Sequence, residues 1–517
     1  MSVKKCLLAF LFSTSLCAEN WPGAAGPNGN YQIDGQAPIK WSAVRNENIK
    51  WRTSMSEAGQ SAVTVWGDYL FTTVHKPIKS VDEKKAVKDI VALCLDANTG
   101  EILWQKDMSG AVGIELASGF SDGTVFAPLC DGEKVWFFNR CGQMACFDMG
   151  GNEVWKRSFT PRYMHTNRQA EPKLLGDTLL YVEIAEKKDE FVKVPKKDKK
   201  TKTAHSKDKD FWTYLHGIDK NTGEILWREK VGTTVHCNPM INQTSDGKKA
   251  MLISRGGPHD PVEGPAGLSL INLERGYEGE LIWNKECTPF VMANFHWNKE
   301  FIPMFSGTEH ITLDTKSGEV LKRVDCFENV LVHHIGGESE RINFSSKKKK
   351  PMTYYTNILI GDDHYFLAHG IPYIGKVNIR TGKLEYLQLP SQLVPDKDSA
   401  NSDKYRKTLK EVKNLPVNNK GFEVGHKGHN TAGFGHISSA SPILVGKHLI
   451  IPVVTGTVFV IDIEKPFENG EALVAVNDLG EAGKTWTLSS FSYAKGNLYT
   501  HTMKEIICIK GKNDEVQ

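Results

Sequence analysis

The chain has 517 residues, a formal net charge of +3, 40% hydrophobic residues, 46 glycines and 12 tryptophans. So small a net charge on so long a chain excludes a general electrostatic attraction to nucleic acid or to a membrane surface. Abundant glycine and tryptophan suit many short strands joined by tight turns, and a closed array of such units can use this length as one body.

The chain opens with Lys4 and Lys5, an apolar run over residues 7–16, and Cys17-Ala18 before Glu19. This is the pattern of a signal peptide, residues 1–18, cleaved after Ala18. A lipid anchor on Cys17 is the alternative, against which the bulky Leu16 counts. The run is too short to span a bilayer and no later stretch is long enough, so there is no transmembrane segment and the expected location is periplasmic or extracellular. Export permits disulfides. Cys94, Cys146 and Cys508 share one repeat position and read as small buried side chains, while the pairing of Cys130, Cys141, Cys237, Cys287 and Cys326 stays open.

Residues 21–29, WPGAAGPNG, form a loop-like start, and residues 48–53 read as a lone strand carrying Trp51 with no earlier strand to pair with. The first full unit runs from Ala62 to Trp104 around a charged insertion at 76–89 and holds four short strands, the content of one propeller blade. Further units follow at 125–155, 172–227, 238–285, 293–323, 329–389 and 438–480. The last, 489–510, lacks a fourth strand, which the orphan at Trp51 would supply, closing the ring and removing its open edges. Residues 186–210 and 390–420 read as loop insertions, the first a Lys/Asp-rich disordered loop, the second carrying a short helix near 404–413. The expected fold is all-β, an eight-bladed β-propeller of four-stranded antiparallel blades closed by an N-terminal strand, over a single domain at 19–517. Seven blades is the alternative count, because the fourth and sixth units are irregular.

One phrase organises these units. In residues 219–227, DKNTGEILW, Asp and Asn brace a tight turn, Gly223 supplies positive φ, and a strand ends on Trp227. Gly100 precedes Trp104, Gly151 Trp155, Gly279 Trp283, Gly318 Lys322 and Gly382 Tyr386, always by four residues. Such self-similarity is the sequence signature of a propeller-like array. With Trp51, these tryptophans and the glycines Gly100, Gly223, Gly318 and Gly382 are the expected structural residues.

The phrases ALCLDANTGEILW, GIDKNTGEILW and ITLDTKSGEV, the start WPGAAGPNGN, and the closing NDLG and YTHTMKEIICIKG resemble the pyrroloquinoline-quinone-repeat (PQQ-like) propellers over nearly the whole mature chain. The resemblance implies anchor tryptophans that dock between blades. It also implies two kinds of function, because the family holds quinone-dependent alcohol dehydrogenases as well as an outer-membrane assembly lipoprotein that only binds partners. The dehydrogenases use a bound quinone, a calcium ion, a catalytic Asp and usually adjacent cysteines. No Cys-Cys pair occurs here and no Glu, Asn and Asp set falls at matching positions, so no catalytic residue carries over.

Histidine placement is the remaining signal. His165, His236, His296, His333, His334, His429 and His436 mostly fall at or just before the first strand of a unit, which in a propeller lines the channel mouth. Neutral imidazoles converging there would form a site for a metal ion, while a histidine in a connection equally bonds a backbone carbonyl. A ligand held by them is expected to weaken below about pH 6. The glycine-rich 425–436 would let backbone approach a ligand, and Arg255 would offer an anion site or simply brace a turn. The expected function is a non-catalytic binding or interaction scaffold for a protein or small-molecule ligand at the funnel. An oxidoreductase using PQQ or a metal in the channel is the competing reading.

Overall fold

The computed structural model describes residues 20–117, 122–161, 170–184, 213–232, 238–255, 267–287, 294–347, 352–369, 371–395, 405–408, 412–424, 432–434 and 440–511. Eight small antiparallel sheets follow one another around a propeller ring, with helix confined to short 3-10 turns among the described residues. The first blade takes strands Thr64–Trp66, Tyr69–His75, Ile90–Asp96 and Ile102–Met108, from channel to rim. The eighth takes Ser492–Ala494, Asn497–His501 and Glu505–Ile509, and its outer strand is the N-terminal Ile49–Ser54, paired antiparallel to Glu505–Ile509. The orphan strand thus closes the ring as its sequence required.

Two expectations are corrected. The unit assigned to 329–389 contains a whole blade only from Met352 onward. Val330–His333 instead adds in parallel to the outer edge of that sixth blade, against Leu384–Gln388, and hairpins with Glu340–Ile342. Near 404–413, Tyr405–Thr408 is a strand paired with Gln392–Pro395 rather than part of a helix. Edge pairing outweighs the weak helical preference of so short a polar stretch. Residues 186–210 lie outside the described residues.

Blade-to-blade packing repeats one contact. Asp219 Oδ1 accepts the backbone N–H groups of Asn221 (2.7 Å) and Thr222 (2.9 Å), which folds the turn and leaves the Lys220 carbonyl facing the preceding blade. Trp155 of that preceding blade donates its indole N–H to Lys220 O at 2.9 Å. Its ring covers Gly223, whose φ is +77° and where a Cβ would lie 2.6 Å from the indole. Trp51, Trp104 and Trp283 repeat the bond to Ala97 O (3.0 Å), Met149 O (3.1 Å) and Thr315 O (2.9 Å), each over the next blade's turn glycine. At the fourth blade's turn the contact differs, because a Cβ on Gly279 would meet Glu229 at 2.3 Å and the Trp227 ring only at 3.4 Å. Glycine is needed at these turns for both its positive φ and its missing side chain.

The periodic cysteines complete the unit. Cys94, Cys146 and Cys508 are fully buried and sit directly across the ladder from Trp104, Trp155 and Trp51. A small side chain there makes room for the indole on the neighbouring strand. The described cysteines are all free thiols, and burial pushes those of Cys94 and Cys146 up to about 12, so they are inert fillers. Trp155→Ala is expected to cost about 3–5 kcal/mol in chemical denaturation, against roughly 1 kcal/mol or less for Lys322→Ala at the corresponding half-buried position.

Candidate functional site

The N-terminal segment does more than lead to the closing strand. Trp21 pairs with Val65 of the first blade's inner strand, Pro22 O accepts the Cys130 N–H of the second (3.0 Å), and Gln32–Ile33 pairs in parallel with Ile443–Val445 of the seventh. Gln32 Nε2 also donates to Leu359 O of the sixth blade's inner strand at 2.7 Å. Residues 20–36 therefore plug one end of the channel. Close approach demands small residues: a Cβ on Gly23 would lie 2.6 Å from Leu129 and one on Gly26 2.8 Å from Trp21.

At the tip of the plug stands Tyr31, buried and held at φ +64°, a left-handed backbone that a bulky residue adopts only when its surroundings impose it. Its hydroxyl bonds the Asn238 amide and Ser441. Asn238 also donates to Asn294 Oδ1 (3.1 Å) and accepts from Lys173 Nζ (2.6 Å), Asn294 donates to Ser441 Oγ, and the Ser441 N–H reaches Ser490 Oγ (2.8 Å). These residues come from the crossings into, or the first residues of, the inner strands of blades three, four, five, seven and eight. They form a floor between the plug and the funnel, at the end of the channel where each outer strand crosses to the next blade.

Two ionisable groups border this floor. Desolvation pushes the Glu171 carboxyl up to about 7 against the opposing pull of Lys173. Desolvation, reinforced by the Lys173 charge, drives His296 down to about 3, so its imidazole is neutral, with Nε2 lacking a partner. His296 also lies beside Tyr31, ring centroids 5.9 Å apart.

The structure separates the three histidine candidates it describes. His296 is at the floor, whereas His333 ends the strand added to the rim of the sixth blade and His334 directly follows it. There His333 Nδ1 meets Ser339 Oγ (2.8 Å) and Nε2 lies 3.6 Å from Glu385, while His334 reaches Gln388 and Glu340. His165, His236, His429 and His436 lie outside the described residues. Among the described residues no three His, Cys, Asp or Glu side chains gather at metal-binding distances. Arg255 is buried and approaches Ser269 Oγ at 3.5 Å, consistent with bracing its strand end. The expected weakening of a ligand below pH 6 does not extend to His296, which stays neutral well below that pH.

Tyr31, Lys173, Asn238 and Asn294 were absent from the sequence reading. Their only trace in sequence was the small-residue run of the plug. Equally unforeseen is a pair of buried imidazoles between the fifth and sixth blades, His310 Nε2 and His364 Nδ1, 2.9 Å apart.

The floor does not suit a calcium-bound quinone. Calcium needs several oxygen ligands with carboxylates among them. Here the nearby carboxyl is biased toward protonation and faces an ammonium group, and the amide and hydroxyl groups are bonded to one another.

Residues 42–188 and 87–256 match, as two overlapping stretches, the family model described as outer membrane protein assembly factor BamB. No curated protein matches the sequence. Among solved structures, the quinohemoprotein alcohol dehydrogenase of Comamonas testosteroni is similar at 11% identity and a TM-score of 0.50, over 96% of this chain and 81% of that one. A europium-containing methanol dehydrogenase is similar at 12% identity and a TM-score of 0.49, over 93% of this chain and 89% of that one. BamB from Moraxella catarrhalis has 12% identity and a TM-score of 0.31, over 89% of this chain and 99% of that one. At 11% identity the first of these likenesses speaks for the fold alone.

Acid sensitivity follows from the buried imidazoles. His296 and His310 lie at about 3 and His501 at about 4 in the folded chain, all lowered by desolvation. Unfolding lets each take up a proton near its ordinary value, so the stability present above about pH 6.5 is lost as pH falls below it, by up to about 1.4 kcal/mol per unit per imidazole. Urea denaturation midpoints measured on either side of that pH check the sign.

Proposed function

We propose that this propeller of the PQQ-like repeat family is an exported binding scaffold, taking a protein or small-molecule ligand at the funnel through its loops rather than performing redox chemistry in the channel. The observation that carries the reading is the floor itself. The chain's own N-terminal segment fills one end of the channel, and Tyr31, Asn238, Asn294 and Ser441 spend their hydrogen bonds on one another. A preorganised catalytic site would instead aim such donors at a reacting group. The match to an assembly-factor family model agrees with a binding role, and the dehydrogenase likeness keeps the redox alternative concrete.

Export is part of the same proposal. Cleavage after Ala18 would leave Glu19 next to Asn20, whose side-chain oxygen already accepts the Gly67 N–H at 2.9 Å, so the mature N-terminus would begin at the seated plug. No helix among the described residues is long and apolar enough to cross a membrane.

Purified protein incubated with PQQ and calcium is expected to show neither stable uptake of quinone absorbance nor dye reduction with alcohols or sugars. Quinone-dependent turnover would overturn the scaffold reading. Mass spectrometry of protein recovered after export should give an N-terminus at Glu19; an uncleaved or acylated terminus would remove the signal-peptide assignment.

A further inference from the structure

Seven of the eight blade junctions are secured by a docked tryptophan or by a covering segment. Trp51, Trp104, Trp155 and Trp283 dock on the turns of blades one, two, three and five, and Trp227 together with Glu229 covers Gly279 of blade four. The sixth and seventh blades are strapped by Val330–His333 and its hairpin, whose Ile335 meets Gly470. The seventh and eighth are covered by the segment before the closing strand, where Ser42 Oγ donates to Asp478 (2.6 Å) and Trp41 packs on Phe491.

Between the fifth and sixth blades the anchor position holds Lys322. Its side chain lies over Gly382 as an indole would, but its ammonium, rather than a buried ring, bonds Arg380 O at 2.5 Å. Behind it the seam is held by two fully buried imidazoles. His310 lies on Glu309–Asp314 of blade five and His364 on Asp363–His369 of blade six, with Phe305 packed edge-on to His310. The chain of bonds assigns their protons. Asn357 Oδ1 accepts from His364 Nε2 at 3.1 Å, so His364 Nδ1 is a bare acceptor and His310 Nε2 must be the donor to it. His310 Nδ1 is then an unprotonated nitrogen without a partner.

A proton added to this chain has no favourable place. On His364 Nδ1 it would set two N–H groups against each other, and on His310 Nδ1 it would bury a charged donor with no acceptor. The neighbouring titratable groups give no relief. They are the Cys326 thiol beside the His310 backbone, the Tyr386 hydroxyl, which donates to Cys326 O at 3.2 Å, and His296 toward the channel. Glu309 and Asp325 on the same hairpin act on Cys326, and among the described residues no carboxylate bears on either imidazole.

We propose that the junction between blades five and six is an acid-sensitive seam, at which protonation of the His310–His364 pair opens the ring locally while the junctions docked by Trp104 and Trp155 stay closed. The seam adjoins the floor through Asn357 and His296, so its opening would loosen the funnel at the fifth blade.

Hydrogen exchange of the full-length protein, corrected for intrinsic rates, tests this. For each imidazole that becomes solvated on opening, lowering the pH from about 7.5 to about 5 should speed exchange roughly 30-fold in peptides spanning Glu309–Asp314 and Asp363–His369. Peptides at the Trp104 and Trp155 junctions should show no such change. Lys322→Trp, which restores the anchor, should suppress the seam's response. His310→Gln keeps a donor toward His364 but cannot titrate, and should cut the response by about tenfold or more. An acid response equal at all junctions, or one undiminished in His310→Gln, would overturn the proposal. If either variant fails to fold, the map of the unaltered protein still decides.

Discussion

The ring depends on a tryptophan from one blade meeting the turn of the next. The contact joins an indole, a carbonyl presented by an Asp-braced turn, and a glycine whose missing side chain leaves room for the ring. Each component is useless without the others. An indole over a residue with a Cβ would clash, and the bracing Asp, or Asn378 in the sixth blade, holds the turn that presents the carbonyl. Because the two halves of each contact lie in adjacent repeats, a blade is stabilised by its neighbour rather than by itself, and a closed ring leaves no half unmatched. The closing strand bearing Trp51 follows from the same constraint: the first turn, at Gly100, needs an indole, and the chain supplies it from before the first blade.

Closure also explains the plug. A segment that travels from the seated Asn20 to the outermost strand of blade eight crosses the ring at one end of the channel. Glycine and alanine keep it thin where it touches the inner strands. Tyr31 is then the one large side chain it carries up to the floor, and the strained backbone there is held by hydrogen bonds that draw in five blades. A channel end filled in this way is one way in which chains that share a propeller fold come to differ at the axis, and a shared fold does not carry a shared chemistry with it.

The contrast between the tryptophan junctions and the seam at Lys322 shows how one repeat architecture acquires local differences in stability. Replacing an indole by an ammonium group exchanges a large buried contact for a solvated one. The interior then contains polar groups that a fully apolar junction would not need, and the two imidazoles satisfy each other only in their neutral form.

The architecture was legible in the sequence because its determinants are local and repeated. The turn phrase, the glycine four residues before each anchor, and the cysteine opposite it all fall within one repeat, and the orphan strand at Trp51 was recognisable by its lack of partners. The hairpin at 330–342 was misassigned because a strand's sequence does not say whether it pairs at the inner or the outer edge of a sheet. The strand at 405–408 was missed because only its partner 392–395 made it one. The floor was invisible for the same physical reason in stronger form. Tyr31, Lys173, Asn238, Asn294, Ser441 and Ser490 are scattered over the chain, belong to no repeat position, and acquire meaning only when ring closure brings the inner strands around one axis. Sequence by itself determined the repeat, the closure and the blade junctions, since hydrogen-bonded turns and apolar periodicity act over a few residues. Which polar groups meet at the axis, which histidine stays at the floor and which moves to the rim were decided only by the tertiary structure, because those contacts depend on where the closed ring places residues distant in the chain.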